Sequence, residues 1–210
     1  MASTSGARQA PSPLLRRVLD RFRGEHGQPG PTSPEALSLQ LALRRLWSDH
    51  VIWTREYVVA AIANSPDAQA VAGRLLANQE HIGSAIVPFY GEAAGQALTD
   101  LLRQHIMVAV ELIDAAKAGD QDKFADADRR WDQNARDIAS FLSSANPNWP
   151  EHDVVDLLSQ HLKLTKDEAT ARLERRWEDD IEAFDQILTE ILTVSDVLSA
   201  GIVKQFPDRF

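Results

Sequence analysis

The sequence predicts an all-α fold, an antiparallel helical bundle of four long helices with one or two shorter ones. Apolar residues recur at helical spacing over long stretches. Helix start and stop signals bracket each stretch. Alternating, β-branched runs bounded by turns, the mark of strands, do not appear.

Ser33-Pro34-Glu35 supplies a capping hydroxyl, a proline at the first helical position and an acid in the first turn, so a helix runs from there to about Asn64. Ser65-Pro66-Asp67 repeats the signal for a second helix ending near Pro88 to Gly91. A third spans Glu92 to Gly119, and Asp120 caps a fourth that stops at Asn146-Pro147-Asn148. Trp149-Pro150-Glu151 opens a short fifth helix to about Leu164. Thr165 and Glu168 have the spacing of a capping box, which predicts a long sixth helix reaching Lys204. Short connections make consecutive helices antiparallel neighbours. The predicted organisation is a flexible basic segment over 1–33 and one helical domain over 34–206.

Composition narrows the function. A net charge of −9 argues against nucleic acid as a partner. No cysteine is present, so any metal must be held by His, Asp, Glu or amides. The sequence lacks an apolar run of transmembrane length and a secretory leader, which predicts a cytoplasmic protein. Residues 1–30 carry five arginines and a net charge of +3. Within them Pro13 to Arg23 has the pattern of a short basic amphipathic helix, read either as a docking segment or as a loose tail. His26 and His152 read as solvated, and Asp122, Asp126, Asp128 and Asp132 as an acidic surface without the glycine and terminal glutamate of a calcium loop.

Two short patterns recur. Trp47, Trp131 and Trp177 are each followed three residues later by a polar group, His50, Asn134 and Asp180. Leu101-Leu102-Arg103-Gln104-His105 resembles Leu157-Leu158-Ser159-Gln160-His161. His50, His105, Asn134 and Asp180 fall on apolar stripes, where a bundle prefers hydrocarbon. Residues equidistant from a turn share a level, so Gln79, His50, His105 and Asn134 should form one polar layer, with Asp180 near enough to join. The predicted turn before Thr165 puts His161 about 16 Å from Asp180, leaving it a reserve candidate.

That layer suits a transition metal (zinc, iron or manganese) or a small polar ligand, with His50, His105 and Asp180 as the ligands. Gln79, Asn134, His161 and the indoles of Trp47, Trp131 and Trp177 would support them. The rival reading is a structural or interaction bundle whose buried network only sets helix register, with helix 6 as a homodimer face. Catalysis by His50 as a base finds no partner nucleophile; Arg55 reads as pairing with surface acids.

Several segments together, Leu46-Trp47 through His50-Val51 to Trp53-Thr54-Arg55, Asn78-Gln79, Pro88 to Gly91, Ala115 to Asp120, Ala145 to Trp149 and Ser199-Ala200-Gly201-Ile202, resemble a family of uncharacterised bacterial helical proteins over about residues 38–206. The resemblance implies a bacterial all-α protein. Its members carry inconsistent labels, glycosyltransferase and acetylglutamate kinase among them. Both labels name α/β enzymes whose nucleotide sites have no counterpart in these residues.

Overall fold

Ser33 and Pro34 begin the first helix as their chemistry dictates: the Ser33 hydroxyl accepts from the Ala36 amide at 3.1 Å, and Pro34 fills the first helical position. The computed structural model describes residues 33–210, and among these it is all α-helix with one terminal 3-10 turn. The amphipathic segment Pro13–Arg23 and His26 lie outside the described residues. Six helices follow one another: α1 (Pro34–Ala63), α2 (Ala68–Tyr90), α3 (Glu92–Ala118), α4 (Gln121–Ala145), α5 (Glu151–Leu173) and α6 (Trp177–Gln205). Each packs on its neighbour in sequence, and α6 returns to α1, closing a ring. Across the middle, α1 also touches α3 and α5.

Two start signals behave differently from expectation. The Ser65 hydroxyl bonds the Asp67 carboxylate rather than capping α2, which begins only at Ala68. The larger correction is at Thr165. No turn forms there; α5 continues to Leu173, the Thr165 hydroxyl bonds back to the His161 carbonyl at 3.0 Å, and Glu168 is buried. The turn lies instead at Glu174–Arg176, where Arg175 takes a left-handed φ of 59°. The bundle is all-α as expected, with four helices of 25–30 residues and two of 23, and α5 is longer than the sequence suggests.

This displaced turn exposes an internal order. The chain is three helical hairpins, α1–α2, α3–α4 and α5–α6, whose turns are built alike. Asn64, Gly119 and Arg175 each adopt positive φ (54°, 70° and 59°). The next amide in each case, from Ser65, Asp120 and Arg176, bonds back to the carbonyl of a buried alanine, Ala60, Ala115 or Ala171, at 2.9, 3.0 and 2.9 Å. This six-to-one bond with a left-handed residue is a Schellman ending. Fourteen residues before each left-handed position stands a histidine, His50, His105 and His161. The three helices that carry them, α1, α3 and α5, run parallel because each is followed by its antiparallel partner.

Between hairpins the helices approach closely where side chains vanish. A Cβ on Gly83 of α2 would stand 2.5 Å from the Gly95 carbonyl oxygen of α3, so only glycine permits that crossing. By length and composition α6 is the one described helix apolar enough to cross a membrane, and 56% of its most apolar window is buried within the bundle against α5 and α1.

Candidate metal centre

His50, His105 and His161 converge at the middle of the ring. Their ring centres lie 5.7 Å apart for His50 and His161, and 6.4 Å for each of the other two pairs. All three are at least 96% buried. Side chains on a helix lean toward its N-terminus, and on three parallel helices that tilts all three imidazoles toward the same end of the bundle. They line one internal cavity of about 40 Å³ there; the smaller cavity on their other side, lined by Thr54, Tyr57 and Ala109 among others, touches none of them.

Each imidazole is backed by a polar side chain 29 residues further on, across its own hairpin. His105 Nδ1 meets Asn134 Oδ1 at 2.8 Å. His161 Nδ1 meets Glu190 Oε2 at 2.9 Å. Gln79 stands at the corresponding place beside His50 and favours its charged form slightly. These contacts are set in the frame of the helices: the Asn134 amide donates to the Leu101 carbonyl at 3.0 Å, and the Gln79 amide to the Leu75 carbonyl at 2.8 Å. With Nδ1 engaged outward, Nε2 is the nitrogen left over on His105 and His161.

Burial, reinforced by the neighbouring rings, holds the His50 imidazole well below its ordinary pKa. Burial, with His161 adding to it, takes His105 down to about 3 against the ordinary 6.5. Both are therefore neutral at pH 7, the form in which imidazole binds metal. Glu190 brings a carboxyl group that is 1% exposed, and Glu190 Oε1 and Trp131 Nε1 are buried with no hydrogen-bond partner among the described residues. Trp47 packs edge-on against His50 and Trp131 lies along His105, with ring centres 5.7 and 5.1 Å away. They wall the site, and the Trp131 N–H meets no acceptor among the described residues.

Asp180 is elsewhere. The corrected turn lifts it toward the hairpin end, where it accepts from Arg55 Nη1 and Nη2 at 2.8 and 3.2 Å and from Arg172 at 3.1 Å. Arg55 also bonds Glu168 at 2.5 Å. It thus pairs with two buried acids, not with the surface acids that the sequence suggests. Burial pushes the Glu168 carboxyl up to about 7, opposed by Arg55. Trp177 is outside the layer too: it is 46% exposed and lies beneath the Arg172 guanidinium. In exchange, the same shift of the turn brings His161 into the centre and supplies Glu190, which sequence reasoning missed. The signal was present in the spacing of the three histidines, 55 and 56 residues apart.

Among the described residues no group of three or more His, Asp or Glu side chains is placed to hold a metal ion as the structure stands. Three imidazoles on a tetrahedral ion, at bond lengths of about 2.0–2.1 Å, have ring centres about 5 Å apart. The observed separations exceed that by roughly 1 Å, a contraction within the reach of side-chain torsions at a cavity wall. No family model, no curated protein and no solved structure matches this chain.

Proposed function

We propose that the chain binds one transition-metal ion on His50, His105 and His161. The observation that carries this reading is the meeting of three buried histidines, one from each hairpin, on a single cavity wall. The supporting shell fits the same chemistry. A ligating imidazole usually passes its second ring nitrogen to a carboxylate, a carbonyl or water, which fixes its orientation. Asn134 and Glu190 stand in that relation to His105 and His161. A cation at the centre would also stand close to the buried Glu190 carboxyl, whose ion-pair partner among the described residues is His161. Three imidazoles suit zinc, iron or copper better than magnesium or calcium, which prefer oxygen.

The register-setting network is the rival, and the amide bonds to helix carbonyls favour it in part. Against it stand Glu190 Oε1 and Trp131 Nε1, buried without partners among the described residues, since a network that exists to satisfy its own members should close.

Elemental analysis of protein purified without an affinity tag or chelator tests the proposal, with melts in added Zn²⁺, Fe²⁺ and Mn²⁺. About one equivalent of metal, lost in His50→Leu/His105→Leu, is the expected result. Absence of metal together with unchanged melting in every ion overturns it.

A further inference from the structure

The cavity beside the three imidazoles has a definite chemistry. Apart from those rings its lining is hydrocarbon or indole, including Leu43, Leu98, Ile138, Val154 and Val194. At about 40 Å³ it is roughly three times the space that one water needs. Apolar cavities of even larger size stay dry, because water inside them finds too few partners. An anion or a hydroxylated substrate would be stripped of its hydrogen bonds there. An uncharged molecule of two or three heavy atoms loses little on leaving water and fills the space.

We propose that this chamber is a binding site for one small apolar molecule of the dioxygen, nitric oxide or carbon monoxide class, held against the three-histidine centre. The inference rests on the metal reading above for the role of that centre, and on the chamber alone for the size and polarity of the guest. The geometry joins the two: the three parallel helices tilt their imidazoles toward this cavity and away from the smaller one. An ion held by three histidines would keep a coordination position open, and the side from which the rings are approached by free space is the chamber.

Two probes separate the parts. Xenon, which seeks dry apolar cavities, reports on the chamber without metal, through pressurised crystals or ¹²⁹Xe NMR. Nitric oxide added anaerobically to Fe²⁺-loaded protein reports on the chamber and centre together, through the iron–nitrosyl EPR signal. The variants are Val154→Phe and, should that one fold poorly, Leu98→Phe; both fill the chamber a full helical turn or more from the histidines. Expected are xenon in the wild-type chamber, none in the filled variant, and a nitrosyl signal reduced at least tenfold by filling while iron stoichiometry is held. Iron retained with no xenon in the chamber, or a nitrosyl signal indifferent to filling, overturns the guest proposal and leaves metal binding intact. Xenon bound but no iron retained overturns the metal reading, and with it the claim that the guest meets a metal.

Discussion

His161 Nδ1 and Glu190 Oε2 are 2.9 Å apart in space and 29 residues apart in the chain, the same interval that joins His105 to Asn134. The interval is the signature of a hairpin with its turn half-way, and it places a histidine and its support at one level in each third of the molecule. Glu190 is the only carboxylate among the three supports. If it orients and polarises His161 for metal binding, Glu190→Gln keeps the size and a hydrogen bond but removes the charge. Metal affinity should fall by about 10–100-fold, measured by competition against a chelating dye, with helix content unchanged. An affinity equal to wild type would deny Glu190 that role.

Acid should destabilise the metal-free protein through the same layer. His50 and His105 have folded pKa values depressed from 6.5, His105 to about 3. Below pH 6.5 the unfolded chain takes up protons that the fold refuses, so stability present above that pH is lost as pH falls toward 3. Glu168 acts in the opposite sense. Its folded carboxyl is raised from 4.5 to about 7, so its contribution is full below pH 4.5 and lost as pH rises through 7. Urea titrations from pH 7 to 3 should show His105→Leu with a flatter acid limb than wild type, by up to about 1.4 kcal/mol per pH unit. An identical slope in the two proteins would mean that His105 is not held neutral.

Arg55 answers two buried carboxylates, Glu168 and Asp180, that lie apart from the three histidines. Arg55→Ala removes the partner of the buried Glu168, whose carboxyl already sits at about 7, and leaves Asp180 to Arg172 alone. A loss of about 3–5 kcal/mol is expected, the usual penalty for removing one partner of a buried ion pair. Metal stoichiometry of the surviving folded protein should not change. Arg172→Ala, which leaves Arg55 in place, should cost less. Equal losses would contradict the geometry.

Most helices were legible because their ends carry chemistry of their own: Ser33 and Asp120 cap as expected, and Gly119 closes α3. The end of α5 was not. Glu174, Arg175 and Arg176 include no Gly, Pro or Asn, while Thr165 and Glu168 imitate a capping box eleven residues before the true cap at Arg176. One misplaced turn moved every level in the last hairpin. Asp180 was drawn into the layer, His161 was pushed out of it, and Glu190 was passed over. The apparent Trp-x-x-polar repeat had a similar fault, since it matched α1 to α4 and α6 across the direction of the chain. His50, His105 and His161 are the equivalent positions, visible in the recurring Leu-Leu-x-Gln-His of α3 and α5 and in Leu46-Trp47-Ser48-Asp49-His50 of α1.

The equivalence of the three turns makes a prediction at Arg175. It occupies the left-handed position that Gly119 fills in the second hairpin and Asn64 in the first, with φ at 59°, 70° and 54°. Such a conformation costs an ordinary L-residue about 1–2 kcal/mol, less for asparagine and almost nothing for glycine. Arg175 is exposed, so removing its side chain sacrifices no core packing. Part of the gain returns as extra freedom of glycine in the unfolded chain, about 0.4–1 kcal/mol. Arg175→Gly should therefore stabilise the protein by up to about 1 kcal/mol, raising Tm by about 2–4 °C. Gly119→Arg should lower it by a similar or larger amount, because it imposes on the second hairpin the strain that the third carries. A fall in Tm on Arg175→Gly would show that the arginine side chain holds the α5–α6 turn by contacts stronger than its backbone strain.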